Sequence, residues 1–148
     1  MPAFVTFGRI LFAVLFVFSG ASKLLDLSAT AQMTERIVFP AALATYTAQL
    51  EGIVGMPMPQ ILAIAAGAIE VICGLMIALN FGARFFAILL ILFVVGATFY
   101  FHDFWNQTGA DARNNLVHAL KNLSIIGALF MIVGSSPSAK PQEPAYDV

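Results

Sequence analysis

Residues 60–79 read QILAIAAGAIEVICGLMIAL, twenty positions with one charge, Glu70, near the middle. Twenty apolar residues are what a helix needs to cross a hydrocarbon core about 30 Å thick, at 1.5 Å rise per residue. A carboxylate at that depth costs several kcal/mol unless it faces protein or a water cavity (roughly 2.5 even on the gentlest scale). The stretch therefore predicts both a membrane-spanning helix and a reason for it to have neighbours.

Three more stretches of this kind flank it, about 4–25, 84–102 and 114–134. The chain has 148 residues, 60% of them hydrophobic and only 10% charged, and its mean hydropathy is +0.90. These values lie far outside the ordinary soluble range. With no water to satisfy stray backbone groups, the spans are expected to be helical, giving an all-α, membrane-spanning four-helix bundle. Arg9 followed by the apolar run 10–18 and Ser19-Gly20-Ala21 imitates a signal peptide. The run begins before Arg9 and continues through Leu24-Leu25, so the first span is expected to stay.

The connectors differ in length. Residues 26–59 form a long one, read as surface helices over 28–38 and 41–53 separated by Pro40. The second, 80–83, is so short that its two spans are antiparallel neighbours. The third, 103–113, is short and polar. One domain over 1–134 is followed by a polar tail, 135–148, expected to be disordered. Four spans leave both termini on one side of the bilayer, and the Lys/Arg distribution does not orient the chain.

Composition also excludes chemistry. A net charge of −1 offers no basic surface for nucleic acid. The single Cys73 cannot form the thiol pair of a disulfide oxidase, nor a cysteine-rich metal site. No metal site is expected. His102 and His118 are the bare minimum for bis-axial haem, which is disfavoured.

Helical spacing gathers the polar residues onto stripes. Arg9, Phe16 and Lys23 recur at heptad intervals, with Ala13, Ser19 and Gly20 beside them. Ala63, Gly67, Glu70, Cys73 and Gly74 share a face of small residues, the pattern that lets helices approach closely. Asn114, His118, Lys121, Asn122 and Ile125 form a polar seam on the fourth span. Axial depth places Arg9 and Lys121 each within roughly 6–8 Å of Glu70, within reach of a long side chain. A polar centre fed by all four spans is the expectation, with Lys23, His102, Asp103 and His118 toward one boundary. The bland alternatives stand beside it. A Glu70 pair can simply fix helix register. Lys23 and Arg84 can snorkel to headgroups. Tyr100, Phe101, Phe104 and Trp105 can be an interfacial aromatic belt.

Gly8-Arg9-Ile10-Leu11-Phe12-Ala13, Ser19-Gly20 and Lys23-Leu24 in the first span resemble the opening signature of DoxX-family membrane proteins. Glu70 with Gly74, His102-Asp103-Phe104-Trp105, and His118 through Lys121-Asn122-Leu123 follow the rest of that pattern. The long first connector departs from it. The resemblance implies a four-helix bundle in a bacterial cytoplasmic membrane. It links the chain to respiratory quinol oxidation, thiosulfate–quinone chemistry and thiol stress. The family-pattern positions here are Arg9, Lys23, Glu70, His102, Asp103, Trp105, His118, Lys121 and Asn122.

The leading expectation is a redox-associated subunit with a quinone-sized pocket near Tyr100, Phe104 and Trp105. His118, Lys121 and Asn122 would supply donors, and His102–Asp103 a route to water. A scaffold for soluble oxidoreductases and a small proton-coupled transporter are the alternatives. A homo-oligomer stays open.

Overall fold

The computed structural model describes residues 3–135, and these are all-helical. The tail beyond Ser135 lies outside the described residues. Four long helices, α1 (Ala3–Leu25), α4 (Met58–Ala78), α5 (Ala83–Phe101) and α6 (Gly109–Ser135), are long and apolar enough to cross a membrane. Between α1 and α4 lie α2 (Leu27–Thr34) and α3 (Ala44–Val54), the latter preceded by a single 3-10 turn. A second 3-10 turn, Phe104–Asn106, separates α5 from α6.

Local chemistry sets the boundaries. Asp26 caps α2, its carboxylate accepting from the Ala29 N–H. The expected helix over 28–38 stops at Thr34, because the chain then approaches Pro40 and the residue before a proline is biased away from helix. Glu51 accepts the Met58 N–H at 2.6 Å, satisfying one of the open donors at the start of α4. The α4–α5 turn places Asn80 (φ 58°) and Gly82 (φ 57°) in the left-handed region, which Asn and Gly tolerate best. The fourth span, α6, begins five residues earlier than expected, since the polar run from Gly109 is helix-compatible where it leaves the apolar span.

α1 and α4 pack antiparallel through glycines. A Cβ on Gly20 would lie 2.6 Å from the Gly67 carbonyl, and one on Gly74 would touch Phe16 and Val17. Such close backbone approach replaces hydrophobic drive, which is absent between helices in lipid. α5 and α6 also run antiparallel, His102 opposite His118 and Thr98 opposite Asn122. Successive spans pack against one another in the order α1, α4, α5, α6, and side chains of α1 and α6 meet in the core through Phe16, Leu129 and Ile132. Among the described residues, no Cα of α1 comes within 8 Å of a Cα of α6.

The core gathers near the α4–α5 turn, where Phe16, Cys73, Ile77, Leu90, Leu129 and Ile132 cluster. Arg9 belongs to this end, buried at 4% and donating to the Asn80 side chain on the turn. The outward faces carry Phe7, Leu11, Phe18, Phe85, Leu92 and Phe130, all exposed, which lipid solvates and water would not. The chain is a multi-pass membrane protein.

Candidate intramembrane site

α1, α2, α4, α5 and α6 line a cavity of about 570 Å³. Its polar lining consists mainly of Ser19, Lys23, Glu70, Tyr100, His102 and Asn122, and the remainder is largely apolar. The deepest group is Glu70, 5% exposed and twelve residues into α4, roughly 18 Å along the axis.

Glu70 is held by α1. Lys23 Nζ donates to Glu70 Oε2 and to Ser19 Oγ, both at 2.6 Å. The Ser19 hydroxyl in turn lies 3.2 Å from both carboxylate oxygens. Ser19 and Lys23 are four residues apart and so share one helix face. The Gly20–Gly67 contact brings that face against α4. An ammonium has three donors, and these bonds use two. The third belongs to a side chain that lines the cavity and keeps 30% exposure.

α2 roofs the site. The Thr30 hydroxyl is within bonding distance of the Lys23 carbonyl at 3.2 Å and the Asp26 carbonyl at 2.9 Å. Thr34 reaches the Ala31 carbonyl at 2.8 Å and the Pro59 carbonyl at 2.7 Å, stapling α2 to the entrance of α4. Leu15, Met33, Ile69 and Leu92 line the cavity yet are exposed, so an apolar rim faces the bilayer.

A second polar set ties α5 to α6. His102 Nδ1 lies 3.1 Å from Asn115 Oδ1, and Asn115 donates to Gln107 at 2.6 Å. Gln107 donates to Asp103 at 2.8 Å. The His102 and His118 rings stack with centroids 5.0 Å apart and planes 11° from parallel. Axial haem ligands would present ring edges to an iron between them; these rings present faces to each other. One turn deeper, Asn122 donates to Thr98 at 2.9 Å. Among the described residues no cluster of three or more metal-ligating side chains occurs.

The family model described as DoxX matches residues 4–56 and 47–103. The chain is also 30% identical to Inner membrane protein YphA of Escherichia coli (strain K12), over 93% of this chain and 86% of that protein. The chain belongs to the DoxX family. No solved structure gives a significant match.

In this DoxX protein the sequence-derived residues divide among three places. Lys23, Glu70, His102 and Asn122 line the cavity together with Tyr100. His118 and Asp103 stand behind His102 in the α5–α6 network. Arg9 lies at the turn end, while Phe104 and Trp105 line a separate groove. Lys121 is exposed on the outer face of α6. Glu70 is therefore paired with Lys23, not with Arg9 or Lys121. Axial depth alone allowed those pairs; the azimuth of α6 and the engagement of Arg9 with Asn80 on the α4–α5 turn exclude them. Lys23 likewise turns inward to a carboxylate instead of outward to headgroups. Asn115, Gln107, Thr30 and Thr34 were not among the expected site residues. The available signals were the four-residue Thr30–Thr34 spacing and Asn115 one turn before His118.

Proposed function

We propose that this DoxX protein binds a quinone-type ring in the cavity, as a membrane subunit serving respiratory or thiol-redox chemistry. We place it in a bacterial cytoplasmic membrane with both termini on one side. The observation that carries this reading is the polarity of the cavity, in which a neutral Lys23–Glu70 pair and His102 line a largely apolar space with a lipid-facing rim. A quinone head accepts hydrogen bonds at its carbonyls and carries no charge, so a neutral ion pair with one spare ammonium donor suits it. The tail needs an apolar slot, and 570 Å³ lies within the usual range for small-molecule sites, about 300–1,000 Å³. Entry through the Leu15, Met33, Ile69 and Leu92 rim spares the ligand any passage through water. His102, with the Asn115–Gln107–Asp103 chain behind it, is the group nearest a route to the aqueous boundary.

The test is equilibrium binding of a short-tailed ubiquinone analogue to protein in nanodiscs. Saturable binding that weakens at least about tenfold in Lys23→Met is the expected result, as a hydrogen bond to a charged group contributes roughly 1.5–3 kcal/mol. Absence of saturable binding, or equal affinity in Lys23→Met, overturns the assignment.

A second reading, a scaffold for soluble oxidoreductases, draws on α3, which has no buried residue and exposes Tyr46 and Ile53. Loss of co-purifying oxidoreductases in Tyr46→Ser/Ile53→Ser, with the cavity intact, would favour it. The transporter alternative draws less support, because α4 runs unbroken past Glu70 and midplane carrier sites usually sit at broken helices.

A further inference from the structure

On the other face of the α5–α6 pair lies a second concavity, about 390 Å³, with almost no polar surface. Thr98 and Phe99 of α5, Trp105 of the 3-10 turn, and Leu116, Leu120 and Leu123 of α6 are among its walls. It is separate from the cavity above. Thr98 belongs to this groove and Asn122 to the cavity, so their 2.9 Å hydrogen bond is part of the partition between them.

The dimensions of the groove are those of one bilayer leaflet. Its α6 wall runs from Leu116 to Ile126, ten residues or about 15 Å, half of the roughly 30 Å hydrocarbon core. Its aromatic end is preorganised: Trp105 packs against Phe99 at 5.7 Å and Phe104 at 5.1 Å between ring centroids. The half-exposed Trp105 brings an indole N–H, a donor typical of the headgroup level, to that end. Arg113 is exposed and precedes Leu116 by three residues and Leu120 by seven, so it flanks the same end, about 4.5 Å further toward the boundary. Asp111, two residues before it, does not share that face.

The geometry points to a phospholipid site. One acyl chain lies along α6 from Leu116 to Ile126, and the phosphate meets Arg113 and the Trp105 indole. A second protein copy is the less fitting occupant, because a concave bed ending in a cation matches a chain with an anionic head. The bound chain rests on Thr98 and so backs the wall of the quinone cavity. The site itself does not depend on what that cavity holds.

Native mass spectrometry of the detergent-purified protein, titrated with dioleoylphosphatidylglycerol and with dioleoylglycerol, tests it. A phosphatidylglycerol adduct is expected, with dioleoylglycerol binding weaker. Leu120→Trp, which fills the groove from an exposed position, should abolish the adduct, and Ala119→Phe provides a second filling variant. Arg113→Gln should weaken it about fivefold, corresponding to about 1 kcal/mol for one basic residue at a membrane surface. Equal affinity for the two lipids, an adduct that survives both filling variants, or quantitative Leu120→Cys cross-linking between copies would each overturn the proposal.

Discussion

Lys23 Nζ and Glu70 Oε2 meet at 2.6 Å although their residues belong to different spans and are 47 positions apart in sequence. The partners are unequally placed. Glu70 is almost fully enclosed, whereas Lys23 keeps about a third of its side chain exposed and lies near the end of α1.

That inequality predicts an asymmetric pair of variants. Lys23→Met strands a buried carboxylate and should cost about 2–3 kcal/mol. This is less than the roughly 3–5 kcal/mol for breaking a fully buried pair, because solvent reaches the lysine. Glu70→Gln should cost less, since the freed ammonium can swing toward headgroups. Lys23→Met/Glu70→Leu should recover most of the loss. Thermal unfolding in a single detergent measures all three, and strictly additive losses would contradict the pairing.

Gly20 sets how closely α1 approaches α4. An added methyl would meet the Gly67 carbonyl at 2.6 Å and Glu70 Cβ at 2.9 Å, neither of which can move without shifting a helix. Gly20→Ala should therefore destabilise by about 2–3 kcal/mol. Gly67→Ala meets Leu24 first, at 2.7 Å from Cγ, and the Gly20 carbonyl only at 3.0 Å, so with a side chain that can shift it should cost less. Gly127→Ala meets nothing within 4 Å and should be neutral or stabilising by up to about 1 kcal/mol. The same ranking in unfolding midpoints is the check; Gly20→Ala behaving like Gly127→Ala would refute the close approach.

Asn122 and Thr98 form an interhelical hydrogen bond at bilayer depth. A double-mutant cycle of Asn122→Leu and Thr98→Val should return a coupling of about 0.6 kcal/mol and at most about 1.7, the mean and maximum for such bonds in membrane proteins. A coupling indistinguishable from zero would mean that the bond does not hold α5 to α6.

The stripes on α1 and α4 were legible in sequence because small and polar residues there follow one helical face. Arg9, Ala13, Phe16 and Gly20 are buried, as are Ala63, Gly67, Glu70, Cys73 and Gly74. On α6 the seam Asn114, His118, Lys121, Asn122 and Ile125 mixes two faces: His118, Asn122 and Ile125 turn inward with Asn115, Leu129 and Ile132, whereas Asn114 and Lys121 are exposed. Polarity misleads where a helix carries polar residues on two faces, as adjacent positions point about 100° apart. The Glu70 partner was missed for a related reason: counting residues from a span end yields depth but not direction. The roof was legible only as a weak helix, since nothing in its sequence marks Thr30 and Thr34 as staples to backbone carbonyls on α1 and α4.

The common core and the Arg9–Asn80 contact gather toward the α4–α5 turn, while the cavity extends from Phe16 and Val94, which it shares with that core, toward Lys23 and His102. Sequence change can then accumulate around Leu62, Gly96 or Phe101 with that core untouched. One scaffold can thereby vary the shape of its cavity while its assembly in the bilayer stays constant.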